Sequence, residues 1–224
     1  MTAGFATGPR PLPSRRSVLS GLGFATACGL AGLRPAAAHE AHGAAAVPVD
    51  PLAGRFGGPF TLTSHRGTRV SDTDFRGALM LVYFGFTHCV DVCPVDLAVQ
   101  QGALAEIGDL ASRIQPLFIT VDPARDTPEV LASYLAPFHP ATLGLTGTEA
   151  EIAAVAKAYR VHRRRVPLDG PEAEHLRDAA GAYIVDHGAL TFLMGPDGRF
   201  LTLVPHGAGI DRLATLLAGY AAKA

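Results

Sequence analysis

Two hundred and twenty-four residues, 48% hydrophobic and 17% charged, suffice for one compact domain plus an additional segment, and exclude a disordered or collagen-like chain. A formal charge of −1, 7% aromatics and no Trp leave neither an electrostatic nor a base-stacking reason to bind nucleic acid. The charge is uneven: the first 38 residues hold four Arg and no acid, so the remainder is mildly acidic, with fifteen basic against twenty acidic residues.

The chain opens with a basic region, Ser14-Arg15-Arg16-Ser17, then a Gly- and Ala-rich apolar run to about Leu33, then Arg34-Pro35-Ala36-Ala37-Ala38. That order is an export signal, and the paired arginines mark the twin-arginine kind, so residues 1–38 are expected to be a signal peptide cleaved after Ala38. The alternative is a retained membrane anchor. It is opposed by a run shorter than the roughly 20 apolar residues a bilayer requires and diluted by Gly21, Gly23, Gly29 and Gly32. Ala25, three residues before Cys28, weakens a lipid-attachment reading of that cysteine. Either way the folded part is expected in the periplasm or another extracytoplasmic space, with membrane association only if the segment stays. Residues 39–58, rich in Ala, Gly, Pro and Val, read as a flexible tether, and residues 59–224 as the folded domain.

Phe60-Thr61-Leu62-Thr63 alternates like a strand, Ser64-His65-Arg66-Gly67 turns, and Thr68-Arg69-Val70 returns, which predicts an N-terminal hairpin. Ala78 to Phe86 is an almost unbroken apolar run of strand length, as expected for a central strand covered on both faces. Pro94 fits the first position of a helix reaching about Gly108, and Ile114 to Val121 reads as a second central strand. Pro128 opens another helix with Val130, Leu131, Tyr134, Leu135 and Phe138 as its apolar stripe. A short strand near Leu143-Leu145 follows, then a capping box of Thr148 and Glu151 that starts a third helix. Leu190 to Met194 and Arg199 to Val204 flank the turn Gly195-Pro196-Asp197-Gly198, and Ile210 to Tyr220 forms a closing amphipathic helix. The order predicts an α/β, thioredoxin-like sandwich: a central mixed β-sheet flanked by helices, plus the N-terminal β-hairpin.

Once Cys28 leaves with the signal, two cysteines remain, too few for a disulfide framework in a fold of this size and better read as a site. Cys89 and Cys93 lie in Thr87-His88-Cys89-Val90-Asp91-Val92-Cys93-Pro94, between the central strand and the first helix. Four residues apart in a first helical turn, two sulfurs share one face, where unpaired N–H groups favour thiolate. Thioredoxin-type redox motifs have two residues between the cysteines and this one has three, so metal binding gains against dedicated exchange. Two thiolates suit Cu(I), and an imidazole would complete a Cys₂His set also usable by Cu(II). Of nine histidines, His187 is the best placed, in a segment expected to be the loop before the strand near Ala189, facing the first helix's N-terminus.

From about Pro59 to Tyr220 the sequence resembles the Sco/SenC family of copper-binding, thioredoxin-like proteins that assist cytochrome c oxidase assembly. The resemblance rests on Tyr83-Phe84-Gly85-Phe86-Thr87-His88-Cys89, Asp91-Val92-Cys93-Pro94, Val121-Asp122-Pro123-Ala124-Arg125-Asp126-Thr127, Gly144-Leu145-Thr146-Gly147-Thr148 and Ala158-Tyr159-Arg160-Val161. It extends to Gly58-Pro59-Phe60-Thr61-Leu62, Val185-Asp186-His187 and Gly195-Pro196-Asp197-Gly198. It implies copper ligation by Cys89, Cys93 and His187. It also implies delivery of copper to the dinuclear centre of oxidase subunit II, or reduction of that subunit's cysteines; another exported copper client remains an alternative. A thioredoxin-like reductant is the partner implied for the cysteine pair. Val90 stands where many relatives have Pro, which removes a restraint but no ligand.

Plainer readings apply to other residues. His88 is expected to pack beside the strand end, and His65, His139, His162, His175 and His206 to be surface residues. His39 and His42 would lie in a polar tail, although an N-terminal amine and imidazole there could take Cu(II). Asp91 is read equally as a cap or as a residue that tunes the thiols or faces a partner, Asp122 and Asp126 as a turn and cap with support of the site or a partner contact as the lesser alternative, and Arg163-Arg164-Arg165 as a solvated charge run. The segment 166–182 is expected to be a mobile loop. A non-enzymatic metallochaperone leads, a thiol-disulfide oxidoreductase acting on exported proteins is second, and a thiol peroxidase is last because Phe86 occupies the position of its required Thr.

Overall fold

The computed structural model describes residues 52, 54–169, 173 and 182–224. The expected signal peptide over 1–38, Cys28, His39, His42, His175 and most of the tether lie outside the described residues. No helix among the described residues is long and apolar enough to cross a membrane.

In chain order the elements are β1 (Thr61–Ser64), β2 (Arg69–Ser71), β3 (Leu79–Gly85), α1 (Val92–Glu106), β4 (Ile114–Thr120), α2 (Pro128–Leu135) and β5 (Leu143–Thr146). They continue with α3 (Glu149–Ala158), β6 (Arg163–Pro167), β7 (Tyr183–His187), β8 (Leu190–Met194), β9 (Phe200–Pro205) and α4 (Ile210–Ala221). Seven strands form one mixed sheet in the order β2-β1-β5-β4-β3-β8-β9, with β3, β4 and β5 parallel and the outer pairings antiparallel. The expected α/β layering and N-terminal hairpin are both present.

Every residue of β3 is buried, which explains its unbroken apolar sequence: alternate side chains need cover on both faces. Leu79 and Leu81 pack with Leu104, Leu213 and Leu217 of α1 and α4. On the opposite face Phe84 meets Tyr159 and Phe192, ring centroids 5.3 and 6.0 Å away. The Thr148 hydroxyl accepts the Glu151 N–H at 3.2 Å while the Glu151 carboxylate accepts the Thr148 N–H at 2.8 Å, the reciprocal cap expected for α3.

Three expectations are corrected. The tether does not last to residue 58, because Phe56 lies 4.9 Å from Phe200 and 5.6 Å from Phe192, so packing starts before Pro59. Helix α1 starts at Val92 rather than Pro94, with Cys93 already in its first turn. Arg163-Arg164-Arg165 keeps two exposed side chains, Arg164 and Arg165, as expected of a solvated run, but it also forms most of β6, which pairs antiparallel with β7 from Arg163↔His187 to Pro167↔Tyr183. His187 is consequently the last residue of a strand, not a loop residue. Part of the segment expected as a mobile loop belongs to this ribbon, where the Leu168 N–H donates to the Ala182 carbonyl at 2.9 Å, and most of the rest lies outside the described residues.

Candidate metal centre

The parallel strands β3 and β4 end together, and the loop that leaves β3 turns into α1 across that edge. The Cys89 N–H donates to the Phe86 carbonyl at 3.2 Å, a tight turn that lifts Cys89 onto the helix N-terminus. Asp91 is the N-cap residue, yet its side chain makes no cap. The cap is the Cys89 sulfur, which accepts the Cys93 backbone N–H at 3.4 Å. A first-turn N–H that would otherwise lack a partner thus aims at a sulfur.

The two thiols differ in environment. Cys89 is half-buried, whereas Cys93 is fully buried against Gly85 and Phe118. The Cys93 thiol, donating to the Cys89 sulfur, has the largest influence on Cys89; burial opposes it, and His187 with the N–H groups of Cys93 and Asp91 reinforces it. The result pulls the Cys89 thiol down to about 3. The same pairing, burial and the Cys89 charge push the Cys93 thiol up. One thiolate is therefore held ready beside a protonated partner.

His187 arrives from β7. Its Nε2 lies 3.8 Å from Cys93 Sγ, and its Nδ1 lies 3.2 Å from the Gly188 carbonyl. A proton on Nε2 is donated towards the Cys89 thiolate, whereas a proton on Nδ1 is donated to that carbonyl and frees the Nε2 lone pair, the tautomer suited to ligation. Phe86 meets the imidazole edge-on at 5.6 Å. A cleft of about 300 Å³ opens over these groups, lined by Cys89, His88 and His187 and rimmed by the exposed side chains of Val90 and Ile184.

The donor set is chemically apt for a soft ion. A sulfur and a nitrogen 3.8 Å apart can both reach one ion through bonds of about 2.3 and 2.0 Å. Among the described residues no three His, Cys, Asp or Glu side chains are already drawn into a closed metal cage. Cys89, Cys93 and His187 are the residues that could hold one ion here.

His88 turns to Thr87, whose hydroxyl lies 3.2 Å from its Nδ1, in keeping with a packed role beside the strand end. Four of the histidines read as surface residues have structural partners: His65 Nδ1 accepts the Gly144 N–H at 2.9 Å, His139 Nδ1 accepts the Ala141 N–H at 3.3 Å, His162 Nε2 lies 3.3 Å from Asp186, and His206 Nδ1 lies 2.8 Å from Asp96.

Asp122 and Asp126, read from sequence as a turn and cap, do more. Both are fully buried. Asp126 accepts the Thr87 N–H at 3.2 Å and the Thr87 and Thr120 hydroxyls at 2.6 and 2.5 Å. Burial nevertheless pushes its carboxyl above the ordinary range. Asp122 accepts from the Tyr183 hydroxyl at 2.8 Å and pairs with Arg125, which stacks 3.7 Å over the Tyr183 ring. The available signal was three charged residues within five positions directly after a buried strand, at the sheet edge that carries the cysteines.

The SCO1/SenC family model matches residues 49–222. The chain belongs to the SCO1/SenC family. The human mitochondrial SCO1 homolog is 46% identical over 147 residues, which cover 65% of this chain and 46% of that protein. The chain thus spans about half the length of the curated relatives it matches, 46% and 49% for the human and mouse proteins. Among solved structures, Bradyrhizobium japonicum ScoI with copper bound is 39% identical with a TM-score of 0.65, covering 74% of this chain and 99% of its own. Yeast Sco1 with copper bound is 34% identical with a TM-score of 0.66, covering 75% of this chain and 90% of its own. The fold is the thioredoxin-like one of the Sco proteins, and these Sco neighbours were solved holding copper.

Proposed function

We propose that this Sco/SenC member is an exported copper carrier that holds the ion with Cys89, Cys93 and His187 and passes it to a client copper site. The observation that carries the reading is the approach of His187 Nε2 to within 3.8 Å of Cys93 Sγ, across 94 residues of chain, beside a second sulfur. Two thiolates and one imidazole bind Cu(I) well and remain usable by Cu(II). Copper solved in ScoI and yeast Sco1 supports the same cargo.

The client that the family resemblance favours is the dinuclear copper centre of cytochrome c oxidase subunit II. The basic, apolar and small-residue order of residues 1–38 supports this client, since an export signal there would carry the site out of the cytoplasm. Oxidation of Cys89 and Cys93 to a disulfide would remove both thiolate ligands, so the redox state of the pair controls the cargo.

The second reading, a thiol-disulfide oxidoreductase, is favoured by the thiol asymmetry. Cys89, held near 3, would attack a client disulfide to give a mixed disulfide, and Cys93 would displace the client thiol. Two electrons pass to the client, and a thioredoxin-like reductant must return them.

Cu(I) competition titration of the reduced protein separates the readings. His187→Ala is expected to weaken copper binding by at least about tenfold, given that each 1.4 kcal/mol of lost ligation is tenfold, while dithiol exchange persists. Equal copper retention by wild type and His187→Ala would refute the ligand set.

A further inference from the structure

The two halves of the candidate centre belong to separate pieces of backbone. The thiols sit at the end of the seven-stranded sheet, whereas His187 ends a two-stranded ribbon that shares no ladder with it. A two-stranded ribbon has marginal stability alone, so side-chain ties must decide where it rests.

The turn from Asp122 to Asp126 supplies such ties in both directions. Through Asp126 it grips Thr87, two residues before Cys89. Through Asp122 and Arg125 it grips Tyr183, the first residue of β7. The Tyr183 hydroxyl donates to Asp122 at 2.8 Å, Arg125 Nη1 donates to the Tyr183 carbonyl at 3.1 Å, and the guanidinium covers the Tyr183 ring at 3.7 Å. The guanidinium also lies 6.0 Å from the Phe86 ring, which in turn meets His187 edge-on at 5.6 Å. Tyr183 and His187 are the two ends of one five-residue strand, so a shift at the first is transmitted along a stiff element to the second.

Arg125 and Asp122 are 7% and 0% exposed. A buried ion pair of this kind contributes little net stability once desolvation is counted, and its best attested use is to fix register. We propose that Asp122, Arg125 and Tyr183 form a positioning clamp that sets His187 against Cys93, so that residues remote from the ion tune its affinity. The inference rests on the copper reading above and assigns a role to residues that do not touch the metal.

The experiment is a double-mutant cycle read by Cu(I) competition titration of the reduced protein: wild type, Tyr183→Phe, His187→Ala and the combination. Tyr183→Phe keeps the ring under Arg125 and removes only the hydroxyl. It is expected to weaken copper binding by about tenfold, the lower end of what outer-shell changes cost in metal sites, and to have no further effect once His187 is Ala. An unchanged affinity in Tyr183→Phe overturns the clamp, as does an equal loss in both backgrounds, which would mark general loosening. Equal binding by wild type and His187→Ala removes the ligand reading itself, and the clamp with it. Should Tyr183→Phe fold poorly, Arg125→Lys run through the same cycle applies the same criteria, since Lys keeps the charge but loses the planar fork and the stacking.

Discussion

Gly85 and Cys93 pack so closely that a methyl group on Gly85 would lie 3.0 Å from the Cys93 sulfur and 2.8 Å from the Phe118 ring. The last residue of β3 has no side chain because the buried thiol occupies that space. Gly85→Ala must therefore displace either the sulfur or a fully buried ring. Overpacking of this sort costs about 1–3 kcal/mol, and a chain of this size loses roughly 2–4 °C in Tm per kcal/mol. Calorimetry of the reduced protein is expected to show that loss; an unchanged Tm would mean the Cys93 side chain has room to spare.

Asp126 gives a pH dependence of stated sign. Burial raises its carboxyl above the ordinary value of 3.8, so the folded state binds the proton more tightly than the unfolded chain does. Its contribution to stability is then fully present below 3.8 and is lost as pH rises through the raised folded value. Asp126→Asn removes that titration. Because the neutral amide has no charge to bury, wild type should lose stability relative to the variant as pH rises through the raised folded value, so any advantage of wild type in acid should narrow towards neutral pH. Urea midpoints of both proteins across this window are the measurement, and a gap that widens with pH would contradict the sign.

The thiol asymmetry predicts selective alkylation. Cys89 is half-buried and held near 3, while Cys93 is fully buried with its thiol pushed up. Iodoacetamide followed by mass spectrometry should label Cys89 first, at a rate nearly independent of pH from mildly acidic to neutral solution. Cys93 labelling first, or a Cys89 rate that climbs as for an ordinary thiol, would reverse the assignment of the two sulfurs.

Phe56 tests where the domain begins. Its half-buried ring closes on Phe192 and Phe200 although the surrounding composition reads as a linker. Phe56→Ala should cost about 1–3 kcal/mol, part of the penalty for a fully buried Phe. A urea midpoint shift equivalent to less than about 0.5 kcal/mol, the usual range for surface changes, would return Phe56 to the tether.

What was legible in the sequence followed local rules. The apolar run of β3, the capping box of α3 and the hairpin of β1 and β2 are dictated by neighbours within a few residues, and each formed where expected. The closeness of the cysteines was legible for the same reason. The ribbon of β6 and β7 was not, because nothing local makes three consecutive arginines a strand. Arg163 holds Glu149 and the Val121 carbonyl, Arg164 faces Asp186, and Arg165 reaches Asp122, so distant partners decide the conformation. The start of α1 was misplaced because the cap is a sulfur, while the sequence offered Asp91 and Pro94 as conventional signals. The joint role of Asp122 and Asp126 depends on Tyr183 and Thr87, which lie 61 and 39 residues away respectively.

The separation of the ribbon from the main sheet carries a kinetic consequence. Amides of β6 and β7 can exchange with solvent through openings that leave β3 and β4 protected, since no ladder couples them. On the copper reading proposed above, a nitrogen donor on the separate ribbon and sulfur donors at the end of the main sheet would give the ion an exit by one-sided detachment, with the chain itself staying folded.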